Sequence, residues 1–143
     1  MEAKELDVVL EYTLFDEMNC EKALFLSWKQ FGEISSILAK KVANIHLRQS
    51  FDAVYALPKG GLCFGAVLAY RLGIPLLMDS SSVTKRTLIA DNCVKTGKTL
   101  ASFTTQVKVV LFYHPDSSVV PDLYFRKTHK KINFCWELKS ERN

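Results

Sequence analysis

The stretches at residues 51–57, 74–78, 87–90 and 107–113 constrain this chain most, because each is a strand-length run with almost no polar face. In a half-exposed strand, polar and apolar residues alternate. Here Ala53-Val54-Tyr55-Ala56-Leu57 and Val109-Val110-Leu111-Phe112-Tyr113 are apolar on both alternating sides. Such strands need cover on both faces, which a parallel sheet flanked by helices supplies. The intervening segments have helical spacing. Ser27 is placed as an N-cap, and Trp28, Phe31, Ile34, Ile37, Leu38, Val42 and Ile45 recur on one stripe through about His46, which predicts core positions for Trp28 and Phe31. A second helix is expected from Leu62 to Leu72, stopped by Gly73 and Pro75, and a third from Thr99 to about Thr104. Val8–Leu14, Leu123–Phe125 and Ile132–Phe134 are short strand candidates. The fold class is therefore α/β, with a mainly parallel sheet flanked by helices.

At 143 residues, with 48% hydrophobic and 24% charged residues, the chain is expected to form one domain with an ordinary core. The balance of 19 basic against 15 acidic residues gives a net charge of +4, too small to indicate nucleic acid as a partner. The charge is uneven: acids dominate residues 1–24 and bases dominate residues 126–142; both segments read as solvated faces, the second alternatively as a segment that meets an anionic ligand. Cys20, Cys63, Cys93 and Cys135 form no CxxC pair, and His46, His114 and His129 show no zinc-ligand spacing. Reduced thiols and a cytoplasmic location are the expectation. No run approaches the ~20 apolar residues of a membrane span, and the start does not read as a signal peptide.

In a parallel sheet the ligand sits beyond the carboxyl ends of the strands. Two segments fall there. The first is Asp91-Asn92-Cys93-Val94-Lys95-Thr96-Gly97-Lys98-Thr99. An apolar strand delivers a carboxylate, and a loop with glycine, hydroxyls and lysines leads into a helix, so loop N–H groups and the helix start offer an anion site. Asp91 is placed to hold a sugar diol or to sit near a magnesium ion. Gly97-Lys98-Thr99 does not complete a nucleotide P-loop, because Asn92 stands where that motif needs its first glycine. The second segment is Pro58-Lys59-Gly60-Gly61, where paired glycines let backbone approach a ligand and Lys59 supplies a cation. The two turns together suggest a substrate with phosphates at two places.

In order along the chain, these pieces resemble the type I phosphoribosyltransferases, and in particular their small purine members. The resemblance rests on Leu88-Ile89-Ala90-Asp91-Asn92 followed by Thr96-Gly97-Lys98-Thr99, on Ala56–Leu62 with the helix after it, on Ser27–Phe31, and on Pro121–Phe125 with Ile132–Glu137. It spans roughly residues 27–137. It implies transfer of the 5-phosphoribosyl group of phosphoribosyl pyrophosphate to a nucleobase, a purine by this likeness, with magnesium as cofactor and pyrophosphate as product. Lys95, Thr96, Gly97, Lys98 and Thr99 would cradle the 5′-phosphate. Asp91 and Asn92 would hold the ribose, Asp91 also the metal, and Lys59, Gly60 and Gly61 the pyrophosphate. Lys59, Asp91 and Lys95 would be the catalytic side chains, and Lys131 and Ile132 the base contacts. The resemblance also implies a non-proline cis peptide between Pro58 and Lys59, a hood built from about residues 1–26 and 121–143, and a homodimer, to which Phe64, Val67, Phe134 and Trp136 would lend apolar surface.

The chain departs from the family pattern at definite places. Asn92 replaces the second acid, Lys95 stands where many purine members carry an aspartate, and Lys131 stands where many carry a stacking aromatic. The closing segment, Asp79–Arg86, is short. Two readings follow: an active transferase, with Lys95 and Lys131 favouring an acidic acceptor, or a domain that binds nucleotide or phosphoribosyl pyrophosphate as a sensor. Cys93 is read as a small apolar filler, with a thiolate activated near Lys95 as the alternative, and His114 as a turn residue or, because it follows a strand, a group near the site.

Overall fold

The computed structural model describes residues 4–5 and 23–137. The Val8–Leu14 strand candidate and residues 138–143 lie outside that range.

Six strands form the main sheet: β1 (Lys4–Glu5), β3 (Ala53–Ala56), β4 (Leu76–Leu77), β5 (Thr87–Val94), β6 (Lys108–Tyr113) and β7 (Leu123–Lys127). Their order is β1-β7-β6-β5-β3-β4, and every neighbouring pair is parallel. A second sheet pairs β2 (Ala23–Leu26) with β8 (Lys131–Phe134), also in parallel. The expected hood boundary therefore needs correction. Leu123–Lys127 belongs to the main sheet, and so does Lys4–Glu5. The small sheet takes only Ala23–Leu26 and Lys131–Phe134, each the strand that follows one of these.

Both faces of the main sheet are covered, as the apolar runs require. Val54, Leu88, Ala90, Val109 and Leu111 face the core that holds α1 (Trp28–Arg48) and α2 (Leu62–Leu72). Their neighbours Tyr55, Ile89 and Val110 face the opposite core, with Leu100 of the one-turn helix α3 (Lys98–Ala101) and Phe103 against it. The small sheet packs Leu24, Leu26, Ile132 and Phe134 onto the α1 side.

Helix α1 starts in a complete capping box. Ser27 Oγ accepts from the Gln30 N–H at 3.1 Å, and Gln30 Oε1 accepts from the Ser27 N–H at 2.9 Å. Its buried stripe runs Phe31, Ile34, Ser35, Leu38, Ala39, Val42 and Ile45. Trp28 is a correction: it is 60% exposed. At the first helical position its ring projects past the end of the core and touches Phe31 and Trp136 edge-on, with centroids 6.2 and 6.4 Å away. Helix α2 ends on Gly73 in the left-handed region, at φ 67°, and comes close enough to β3 that a Cβ on Gly65 would lie 2.4 Å from that of Ala56. Phe64 and Phe134 are fully enclosed within one chain, so they supply no dimer surface. Among the described residues, the exposed large apolar side chains are Phe25, Trp28, Leu47, Tyr70, Met78 and Val120.

Candidate functional site

β5 is longer than its sequence suggests, and this sets the site. The expected strand end at Asp91 is corrected to Val94, since Asp91, Cys93 and Val94 pair with Val110, Phe112 and Tyr113 of β6. Asp91 and Asn92 are therefore strand residues, and the loop contracts to Lys95-Thr96-Gly97. α3 is a single turn, so anion donors must come from loop N–H groups and side chains rather than from a helix dipole. A cavity of about 220 Å³ lies in this loop, lined by Asp91, Cys93 and the run from Val94 to Leu100. Lys95, Thr96, Gly97, Lys98 and Thr99 all meet there as expected.

The turn after β6 braces the loop from behind. Thr96 O accepts from the Ser118 N–H at 2.9 Å and from Ser118 Oγ at 3.0 Å. Gly97 is buried at φ 84°, and a Cβ there would meet Ser117 Oγ, Ser118 Oγ and Val119 N at 2.8, 2.9 and 2.9 Å. Only glycine has both the backbone freedom and the space. Sequence reasoning missed Ser117 and Ser118, since nothing local to them marks a contact with the loop.

The turn after β3 arrives beside β5. The Pro58–Lys59 peptide is cis, as the resemblance implied. Lys59 is exposed, Gly61 N–H donates to Leu57 O at 2.8 Å, and Leu57 N–H donates to Ala90 O at 3.0 Å. The Asn92 amide lies across Gly60, where an added Cβ would stand 2.6 Å from its Oδ1. A Cβ on Gly61 would meet Leu57 O and Ala90 O at 2.8 and 2.9 Å. Close backbone approach thus demands glycine at 61, while at 60 the crowding comes from the Asn92 side chain, which packs β5 against this turn.

A larger cavity, about 700 Å³, opens between this edge and the small sheet. It shares Cys93, Lys95 and Thr96 with the smaller one. Lys131 and Ile132, the residues expected to contact the base, line it together with Asn92 and Phe134. His114 and His129 line it too, with ring centroids 5.0 Å apart and perpendicular. His114 is more than a turn residue. Its place one residue beyond β6 is the sequence signal that marks it as a neighbour of the site, while His129 joins only through the path of β7.

Burial pushes Asp91 up to about 7, against one hydrogen bond from the Asn92 N–H at 2.8 Å that favours the carboxylate. Cys93 is pushed up to about 11, first by burial and then by Asp91, with Lys95 opposing. It is a poor nucleophile at neutral pH, in keeping with a filler role. A further cavity of about 360 Å³, with Lys85, Arg86, Lys108 and Asp122 in its wall, lies at the amino ends of the strands, away from this edge.

The architecture has known counterparts. Purine phosphoribosyltransferase from Pyrococcus horikoshii matches with a TM-score of 0.69 and 25% identity, over 82% of this chain and 95% of that one. Xanthine-guanine-hypoxanthine phosphoribosyltransferase from Helicobacter pylori matches at 0.66 and 16%, over 83% and 96%. This chain has the type I phosphoribosyltransferase fold. A hypothetical protein from Neisseria gonorrhoeae with bound ppGpp matches at 0.61 and 17%, over 85% and 93%. By sequence alone, no family model and no curated protein matches.

Within the phosphoribosyltransferase fold, the donors present fit magnesium in only one way. Among the described residues no group of three His, Cys, Asp or Glu side chains could hold a metal. Among the described residues, Asp91 is the one carboxylate that lines the anion cavity. Magnesium favours phosphate oxygens and water with one or two carboxylates, so these residues fit an ion carried in by a pyrophosphate. No described helix is long and apolar enough to cross a membrane.

Proposed function

We propose that this protein transfers the 5-phosphoribosyl group of phosphoribosyl pyrophosphate to a nucleobase nitrogen and releases pyrophosphate. The observation that carries the reading is the shared wall of the two cavities. Cys93, Lys95 and Thr96 border both an anion loop and a chamber roomy enough for a base. A ribose 5-phosphate seated on Lys95–Thr99 therefore presents its C1 toward the larger chamber. The fold match to purine phosphoribosyltransferases supports the same reading.

In this reaction the C1–oxygen bond to pyrophosphate breaks, the bond from the acceptor nitrogen to C1 forms, and positive charge develops on the ribosyl carbon between the two events. The chain acts mainly by placement and charge. Loop N–H groups, Thr96, Lys98 and Thr99 hold the 5′-phosphate. Asp91 accepts from the ribose hydroxyls, and Asn92 offers its amide beside Gly60. Lys59, exposed next to Gly60 and Gly61, pairs with the departing pyrophosphate. Magnesium, when bound, would supply charge neutralisation on the pyrophosphate oxygens, with Asp91 as the protein carboxylate nearest to it. Lys95 sits at the junction, where it steers anionic groups of either substrate. Ile132 and Phe134 give the base an apolar wall.

Asp91 is the one carboxylate among the described residues of the anion cavity, which favours a second reading, a domain that binds nucleotide or phosphoribosyl pyrophosphate without transfer. The Neisseria neighbour with bound ppGpp points the same way. A panel of nucleobases with phosphoribosyl pyrophosphate and magnesium, followed by pyrophosphate release, separates them. Turnover with any base supports transfer. Nucleotide binding without turnover supports the sensor. A homodimer is part of the proposal, with exposed Trp28 and Tyr70 as the apolar groups available to it; a monomer by light scattering would remove that part.

A further inference from the structure

We propose that the cavity at the amino ends of β5, β6 and β7 is a second anion site, which takes a phosphate group, free or on a small ester, on Lys85, Arg86 and Lys108. It lies at the opposite end of the sheet from the anion loop and does not rest on the transferase reading.

Strand order gathers the cations. Lys85 and Arg86 stand just before β5, Lys108 opens β6, and Asp122 stands just before β7. These strands are parallel neighbours, so the four side chains meet in the wall of one cavity of about 360 Å³, a size that suits a small ligand. β5 is eight residues long, roughly 25 Å at ~3.3 Å per residue, so one small ligand cannot occupy both this cavity and the anion loop.

The side chain of Lys108 is the strongest pointer to a ligand. It is 9% exposed, and a buried ammonium needs acceptors for its N–H donors. Gln106 O takes one at 3.0 Å. Asp122, in the same wall, does not take another: its Oδ2 accepts the Lys108 backbone N–H at 2.8 Å, and the two side chains form no ion pair. Arg86 gives its Nε–H to Ser50 O at 3.2 Å, which anchors the guanidinium. Among the described residues, no carboxylate pairs with Lys85, Arg86 or Lys108. Asp52, whose N–H donates to Arg86 O, has its carboxylate held by the Thr84 and Thr87 hydroxyls. A phosphate supplies several acceptor oxygens and up to two negative charges in one small group, and the guanidinium fork fits it. Thr104 and Thr105 add hydroxyls to the same wall.

Amide NMR of the full chain, titrated with inorganic phosphate at constant ionic strength, reads both sites at once. The amides of Arg86 and residues 104–108 should move on their own saturation curve, separate from those of Lys95–Thr99. In Arg86→Gln/Lys108→Gln the affinity read at the amino-end amides should fall at least about tenfold. The Lys95–Thr99 amides should still move, which shows that the variant is folded. Lys85→Gln/Arg86→Gln alters only exposed side chains and should weaken the same response, which keeps the test valid if the buried substitution unfolds the chain. Ribose 5-phosphate as the probe separates the sources: tighter binding at the amino-end amides assigns an ester, and weaker binding assigns the free ion. An amino-end response that is absent with both probes, equalled by chloride, or unchanged in both variants overturns the proposal. Loss of the Lys95–Thr99 response alone overturns the phosphate cradle of the transferase reading and leaves this site standing.

Discussion

Gly97 and Gly73 both lie in the left-handed region, at φ 84° and 67°, but in opposite surroundings. A Cβ on Gly73 meets nothing within 4 Å. Gly73→Ala therefore incurs only the backbone term, about 1–2 kcal/mol for a non-glycine residue in that conformation. Gly97→Ala incurs the same term and also drives a methyl into Ser117 Oγ, Ser118 Oγ and Val119 N, all within 2.9 Å. None of these yields easily. Ser117 Oγ donates to Val119 O at 2.7 Å and accepts from the Val119 N–H at 3.2 Å, and Ser118 Oγ donates to Thr96 O at 3.0 Å. Breaking two such bonds adds about 1–3 kcal/mol, at roughly 0.5–1.5 each. The expected loss is about 2–5 kcal/mol for Gly97→Ala against about 1–2 for Gly73→Ala. Urea midpoints with unchanged slopes measure the difference. Nucleotide titration then checks function: Gly97→Ala should weaken a nucleoside 5′-monophosphate by tenfold or more, on the order of one lost charged hydrogen bond, while Gly73→Ala should leave its affinity alone. Equal stability losses in the two variants, with nucleotide binding intact in both, would refute the brace between the β6 turn and the anion loop.

The remaining predictions test single groups. Thr96→Val/Thr99→Val should lower nucleoside monophosphate affinity about 10–100-fold by removing hydroxyl donors to a charged phosphate, read by thermal-shift titration; unchanged affinity removes the cradle assignment. The folded-state pKa of Asp91, raised to about 7, means that the native state keeps a proton the unfolded chain has lost between about pH 4 and 7. Its contribution to stability therefore falls as pH rises through that window and levels off above it, by at most about 4 kcal/mol. Asp91→Asn keeps the acceptor for the Asn92 N–H, so unfolding curves of the variant minus wild type should show its advantage growing from pH 4 to 7; a flat difference would sink the burial argument. Lys59→Ala should lower kcat and kcat/KM together, because charge on the leaving pyrophosphate grows toward the transition state; a change confined to KM would make Lys59 a ground-state contact only.

Much of this molecule is legible locally. The α1 capping box needs only Ser27 and Gln30 three residues apart, and the apolar runs of β3, β5 and β6 can be buried in few other ways. Lys95–Thr99 and Lys59–Gly61 stand out because glycine, lysine and threonine after a buried strand have a chemical purpose at a sheet edge. The extension of β5 through Asp91 and Asn92 was not legible. Those residue types disfavour strands, and only the ladder to β6 holds them there. Trp28 fits the helical stripe, yet it lies beyond the end of the layer that the stripe packs against. Sequence also cannot say that Leu123–Lys127 completes the main sheet while Lys131–Phe134 leaves it for β2, since both are short apolar runs and the choice is made by which partner edge is open. That choice brings His129 and Lys131 back over His114 and Lys95, and Ser118 behind Thr96. Residue type and spacing thus determined the layers and the anion loop, because hydrophobic burial and turn chemistry act over a few residues. The larger cavity and the set of side chains that line it were decided by strand order, because they depend on contacts between segments far apart in the chain.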